Sequence, residues 1–242
     1  MANTIMIYGA SGAVGAEIAR RLHLQGKALH LVGRDSDRLA AIADETGASS
    51  TQGDVLDETL FERAASDAGS SLSGLVYAIG TITLKSLSRL TDDEFLTDYR
   101  VNALGAAHAV RSAVPALKRA EGSASIVLFS SVAVQQGFPF HASISMAKGA
   151  VEGLTRSLAA ELSPRVRVNA IAPSLTRSNM ASPLLANDAS AENIAGMHPL
   201  PRLGEPSDMA ALATFLLSDD ASWMTGQIVG VDGGRSVLRV KS

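Results

Sequence analysis

The stretch TIMIYGASGAVGAEIARRLHLQG, residues 4–26, decides the fold. Its first five residues, TIMIY, are almost continuously apolar, the signature of a strand covered on both faces. AVGAEIARRLHLQG (13–26) follows with Val14, Ile18 and Leu22 on one helical face. The junction, YGASGAVG, carries glycines at 9, 12 and 15. Glycine lets the backbone turn tightly and approach a ligand closely. The helix N-terminus then offers free N–H groups and a partial positive charge to a pyrophosphate. A glycine pattern alone is weak and could mark a mere tight turn. Its place at a strand-to-helix junction gives it weight. We read Gly9, Ser11, Gly12, Val14 and Gly15 as contacts of a dinucleotide.

Working outward, ALHLV (28–32) reads as a second strand and runs into LVGRDSDRL. An acidic residue at its end would hold a ribose 2′-hydroxyl and indicate NAD. Gly33 stands there, followed by Arg34, whose planar fork suits a 2′-phosphate. This points to NADP (NADPH), with NAD still possible and with Arg34 as an ordinary surface arginine the alternative. Asp54 and Val55 suit the adenine end, or form only a turn.

Strand and helix patterns keep alternating. DSDRLAAIADETG (35–47) is a helix, ASSTQ a weak third strand and LSGLVYAI (72–79) a fourth. A long helix is predicted over 91–117, opened by Thr91 and Glu94 at capping-box spacing. ASIVLF (124–129) is a fifth strand. HASISMAKGAVEGL (141–154) begins a helix running to about Leu162, with Ile144, Lys148 and Val151 on one face. RVRVNAI (165–171), SDMAALATFLLS and QIVGVDGG supply a sixth strand, a helix and a last strand. Such alternation implies an α/β fold: a doubly wound parallel sheet with helices on both faces. We expect one domain over 1–242, with a lid or binding loop near 174–206.

Apolar residues make up 46% and aromatics 4%, so the core is built from Ala, Val, Leu and Ile. The net charge of −3 gives no footprint for nucleic acid or a membrane surface. The chain has no cysteine, which excludes disulfides, thiolate metal sites and a Cys nucleophile, and no metal site is expected. MANTIMIYGASG has no basic n-region, and no apolar run reaches membrane-spanning length. A soluble cytoplasmic protein is expected.

Several stretches together resemble the short-chain dehydrogenase/reductase family: GASGAVG, GDV (53–55), YAIG (77–80), VNALG (101–105), AKGAVEGLTRSLAAEL, RVRVNAIAPS and the C-terminal FLLSDDASWMTGQIVGVDGG. They keep the family's order and cover essentially the whole chain. The resemblance implies a Rossmann-like, seven-stranded sheet that binds NAD(P). It implies hydride transfer between nicotinamide C4 and a carbonyl or alcohol. By position, Asn102 would hold a water linked to Lys148, Ser131 would hydrogen-bond the substrate oxygen, and Lys148 would bind the nicotinamide ribose and lower a neighbouring pKa. Ala78, Gly80, Pro173, Thr176 and Ser178 would complete the nucleotide contacts. A homo-oligomer, tetramer or dimer, is implied as well. The alanine-rich faces of NALGAAHAVRSAV and AKGAVEGLTRSLAAEL allow close helix approach, but could equally pack on the sheet.

The departures matter. The family's tyrosine, four before the lysine and thirteen after the serine, is Ile144 here. Ala13 replaces a glycine of the fingerprint, Tyr8 a threonine, and Ser174 the glycine of Pro-Gly. Isoleucine has no exchangeable proton, and losing a general acid costs about 10²–10⁴ in rate. A water held by Ser131 and Lys148, or His141, could deliver the proton. Ser143 and Ser145 point about 100° away and read as helix surface, and a solvent-facing His141 is the plainer reading. The leading function is an NADP-dependent oxidoreductase acting on a small to medium apolar carbonyl or alcohol, in a pocket lined by Val132, Phe138, Phe140, Ile144 and the 175–200 loop. The alternative is a catalytically silent dinucleotide-binding protein, a sensor or partner subunit. An epimerase or dehydratase, suggested by the glycine spacing alone, ranks last.

Overall fold

The computed structural model describes residues 4–185 and 187–239. Among them, seven strands form one sheet: β1 Thr4–Tyr8, β2 Leu29–Gly33, β3 Ser49–Gln52, β4 Leu72–Tyr77, β5 Ala124–Phe129, β6 Val166–Pro173 and β7 Ile228–Val231. Their order is β3-β2-β1-β4-β5-β6-β7, and every pairing is parallel. Sequence order reverses between β1 and β4. In an open parallel sheet that switch point leaves a crevice at the carboxyl ends of the strands, where ligands bind.

The strands are continuously apolar because both faces are covered. Ile5 and Ile7 of β1 face one layer with Ile18 and Leu22 of α1 (Ala13–Leu24), Leu39 and Ile42 of α2 (Ser36–Thr46) and Met209, Ala210 and Ala213 of α8 (Pro206–Leu217). Met6 and Tyr8 alternate to the other layer. There they meet Leu60 and Phe61 of α3 (Thr59–Asp67), Ala106, Ala109 and Ala113 of α5 (Gly105–Leu117), and Val151 and Ala159 of α6 (Ala142–Leu162). The alanines of α5 therefore pack on the sheet, which leaves no room for larger side chains. Helix α3 was not foreseen from the sequence.

The predicted helix over 91–117 is broken. Thr91 and Glu94 close the expected capping box at the start of α4 (Asp92–Tyr99). A π turn then spans Arg100–Leu104 before α5. The Gly105 N–H bonds to the Arg100 carbonyl, and the Val101 carbonyl accepts from the Tyr77 hydroxyl at 2.7 Å. A Cβ at Gly105 would lie 2.2 Å from that hydroxyl, so only glycine admits the contact. Such π turns gather at functional sites, and this one carries Asn102.

The stretch near 174–206 is less irregular than its composition suggests. It holds a 3₁₀ turn at Ser182–Leu185 and helix α7 (Asp188–Gly196), capped by Asn187 on the Ser190 N–H at 2.8 Å. The His198 Nδ1 lies 2.9 Å from the Ile194 carbonyl. A carbonyl only accepts, so Nδ1 carries a proton, and Nε2 lies 2.8 Å from the Ser174 hydroxyl. Ser174, where the family has glycine, thus pins the far end of this loop to β6. Among the described residues no helix is long and apolar enough to cross a membrane.

Candidate active site

One cavity of about 760 Å³ opens along the switch point. It runs from the β1–α1 loop, past the ends of β2 and β4, to α6 and the 174–206 stretch. Gly9, Ser11, Gly12, Val14, Gly15, Arg34, Asp54, Val55, Ala78, Gly80, Ser131, Lys148, Pro173, Thr176 and Ser178 all line it. The structure thus brings together every predicted catalytic and nucleotide-binding residue except Asn102, which stands behind the wall.

At one end the wall is backbone. Gly9 has a left-handed φ of 84°, and a Cβ there would come within 2.7 Å of the Ala78 carbonyl oxygen. A Cβ at Gly15 would lie 2.2 Å from the Gly9 oxygen. Helix α1 has no side-chain cap, so its first N–H groups remain available to a ligand. Gly33 faces Ser11: a Cβ at position 33 would lie 2.7 Å from the Ser11 hydroxyl. Arg34 stands exposed beside Gly33, paired with Asp54 at 3.3 Å. Asp54 also accepts from the Leu56 N–H at 3.0 Å, so it makes the turn as well as lining the cavity.

At the other end the wall is side chain. Lys148 is buried, and its ammonium donates to the Phe129 carbonyl at 2.8 Å. Burial pushes its pKa down to about 8, against the opposing pull of the Asp98 carboxylate. Ile144, one turn earlier, is buried and lines the cavity. No tyrosine lines it among the described residues. The Ser131 Oγ accepts from the Ala133 N–H at 3.2 Å and keeps its own proton to donate.

Asp98 was missed in the sequence. It is fully buried, and its Oδ1 accepts from Thr81 at 2.7 Å and Thr83 at 3.3 Å. Its Oδ2 accepts from Ser143 at 2.7 Å. The Thr81 hydroxyl, having given its proton to Asp98, accepts from the Asn102 Nδ2 at 3.0 Å, and that Nδ2 also donates to the Asp98 carbonyl at 2.8 Å. The amide of Asn102 is therefore oriented, and its buried Oδ1 is left without a partner. That oxygen points towards Gly80, where a Cβ would lie 2.9 Å from it and 3.5 Å from the Lys148 Nζ. An orphaned buried acceptor calls for a donor, and a bridging water or ligand hydroxyl meets that need. One signal was readable: an acidic residue one turn before Asn102.

Three expectations are corrected. Ser143 is not helix surface: it is fully buried and bonded to Asp98, because α4 packs closely against that side of α6. His141 is half-buried and lines the cavity, its Nδ1 donating to the Pro139 carbonyl at 2.7 Å, its ring 5.3 Å from Phe138. Phe140 does not line the cavity. Its φ of 68° is left-handed and its carbonyl accepts from the Lys85 N–H, which turns the ring out to 60% exposure. Val132, Phe138, Ile144 and part of the 175–200 loop do line it.

The family model described as enoyl-(acyl carrier protein) reductase matches residues 9–236. The chain is 35% identical to a galactitol 2-dehydrogenase (L-tagatose-forming) of Cereibacter sphaeroides, covering 96% of this chain and 94% of that protein. It is 30% identical to a tropinone reductase homologue of Arabidopsis thaliana, over 97% and 92%. Among solved structures, a short-chain type dehydrogenase/reductase from Mycobacterium ulcerans superposes with a TM-score of 0.91 at 28% identity, over 98% and 90%.

Proposed function

The chain belongs to the short-chain dehydrogenase/reductase family, and from that premise we propose that it is an NADP-dependent oxidoreductase of small to medium carbonyl or alcohol substrates with altered proton delivery. The observation that carries this reading is the buried, desolvated Lys148, which lines with Ser131 the cavity that begins at the glycine loop, with Ile144 one turn before it.

The residues present fit a pyridine dinucleotide. The Gly9 and Gly15 cradle, which a Cβ would fill, and the uncapped start of α1 suit its pyrophosphate. Arg34 suits a 2′-phosphate, and the orphaned Asn102 Oδ1 and Lys148 suit the ribose end. When bound, such a nucleotide supplies or accepts the hydride. The chain's own groups then manage position and proton. Ser131 donates to the substrate oxygen and orients it. Lys148 holds a positive charge where an alkoxide develops, and a charge fixed in a dry site acts strongly. A water between Ser131 and Lys148 relays the proton, with Lys148 its source. Ile144 and its apolar neighbours exclude other water.

A second reading is favoured by the lack of any tyrosine at the cavity among the described residues: a silent dinucleotide-binding protein. The test joins an NADPH and NADH titration to turnover over a panel of carbonyls and alcohols. Binding with slow turnover supports the enzyme, and binding with none supports the silent protein. Ile144→Tyr is expected to raise turnover by about 10²-fold, restoring the acid. A homo-oligomer in the cytoplasm, with the 174–206 stretch as its substrate lid, completes the proposal.

A further inference from the structure

We propose that the substrate of this site carries a carboxylate, which Arg235 receives at the Ile144 end of the cavity. This rests on the reading that the cavity takes a carbonyl or alcohol, and it adds the charge that the molecule must bear.

Arg235 follows β7 in a turn with two left-handed glycines, Gly233 and Gly234. Asp232 fixes that turn by accepting from the Gly234 N–H at 2.8 Å and from the N–H and hydroxyl of Ser236. The carboxylate of Asp232 is thus occupied with backbone, and makes no ion pair with Arg235. The guanidinium instead lies 4.9 Å over the Phe138 ring, and one nitrogen touches the Met197 sulfur at 3.4 Å. Phe138 in turn meets His141, one turn from Ile144, so the cation is held at the substrate end.

Arg20, Arg38, Arg156, Arg177 and Arg202 each meet a carboxylate. Buried Arg167 meets none, but its two terminal nitrogens donate to the carbonyls of Leu216 and Ser218. Arg235 is half-buried with only a ring and a thioether beside it, and neither neutralises its charge or uses up its donors. Burial lowers its pKa, which records the cost of desolvating it. The acidic residues lining the cavity, Asp35 and Asp54, lie at the glycine-loop end and are paired with Arg38 and Arg34. The Asp232 carboxylate pulls on this charge from nearby but is held by Gly234 and Ser236 and forms no ion pair with it, so a planar fork over an aromatic face is left complementary to one carboxylate.

The test compares matched pairs, acetoacetate, levulinate and 5-oxohexanoate against their methyl esters, with NADPH. At the best chain length the acid is expected to exceed its ester in kcat/KM by about 30-fold, the scale of a charge-assisted hydrogen bond. Arg235→Leu should collapse that ratio towards one, and Arg235→Lys should recover part of it. A ratio near one for every wild-type pair, or a ratio unchanged in Arg235→Leu, overturns the proposal. Calorimetric titration of the three acids into NADPH-loaded protein gives a readout independent of turnover. If no pair turns over but an acid binds and Arg235→Leu abolishes that binding, the catalytic reading fails while the carboxylate site stands. If none of the acids binds, the site falls.

Discussion

The two ends of the cavity are built from different material. The glycine-loop end is backbone: Gly9, Gly15 and the uncapped N-terminus of α1, all within one short stretch of chain. The Lys148 end is side chain, gathered from the segment after β4, from α4, the π turn, α6 and the segment after β7. A backbone cradle tolerates little change, because an added carbon collides with carbonyl oxygens. A side-chain site can be rewritten one residue at a time.

Mutations at the two ends should therefore fail differently. Lys148→Ala should lower turnover by about 10²–10⁴-fold, with a smaller effect on NADPH affinity. If turnover is unchanged, Lys148 serves binding alone and the two ends are not distinct. In the wild type, carbonyl reduction should fall as pH rises through about 8, where the Lys148 ammonium loses its proton, and stay level below. A flat pH–rate profile to pH 9.5 removes Lys148 as proton source. Gly15→Ala should strike the other end, lowering NADPH affinity by about 10²-fold, since relieving a 2.2 Å contact costs about 1–3 kcal/mol or more. Undiminished affinity by titration would mean the loop is softer than its contacts indicate. The smallest effect is expected at Arg34→Leu. It should raise the KM for NADPH by about tenfold and leave that for NADH alone, because Asp54 already shares this exposed guanidinium. Equal change for both nucleotides would deny Arg34 a role in the 2′-phosphate.

Much of the fold was legible because its signals are local. The apolar strands, the capping box of Thr91 and Glu94, and the glycines between β1 and α1 each lie within a few residues. Helix α3 went unread: its Leu60, Phe61 and Ala64 make only one apolar turn, and Glu58 forms no side-chain cap. The π turn left no periodic trace, since one extra residue shifts the face only from Arg100 onward. Ser143 reads as surface by helical angle, yet Asp98, 45 residues away, lies against it. Phe140 reads as pocket lining by its apolarity, yet its backbone turns the ring out.

The sequence by itself determined the parallel sheet, the glycine loop between β1 and α1, and the isoleucine one turn before Lys148. Those rest on residue type, period and spacing, which a chain carries with it before it folds. Only the tertiary structure decided the rest: that Asp98 orients Asn102 through Thr81, that the Lys148 ammonium rests on the Phe129 carbonyl, and that Arg235 lies over Phe138 without an ion pair. Hydrogen bonds and desolvation act over a few ångströms in space, and folding alone sets which distant residues come that close.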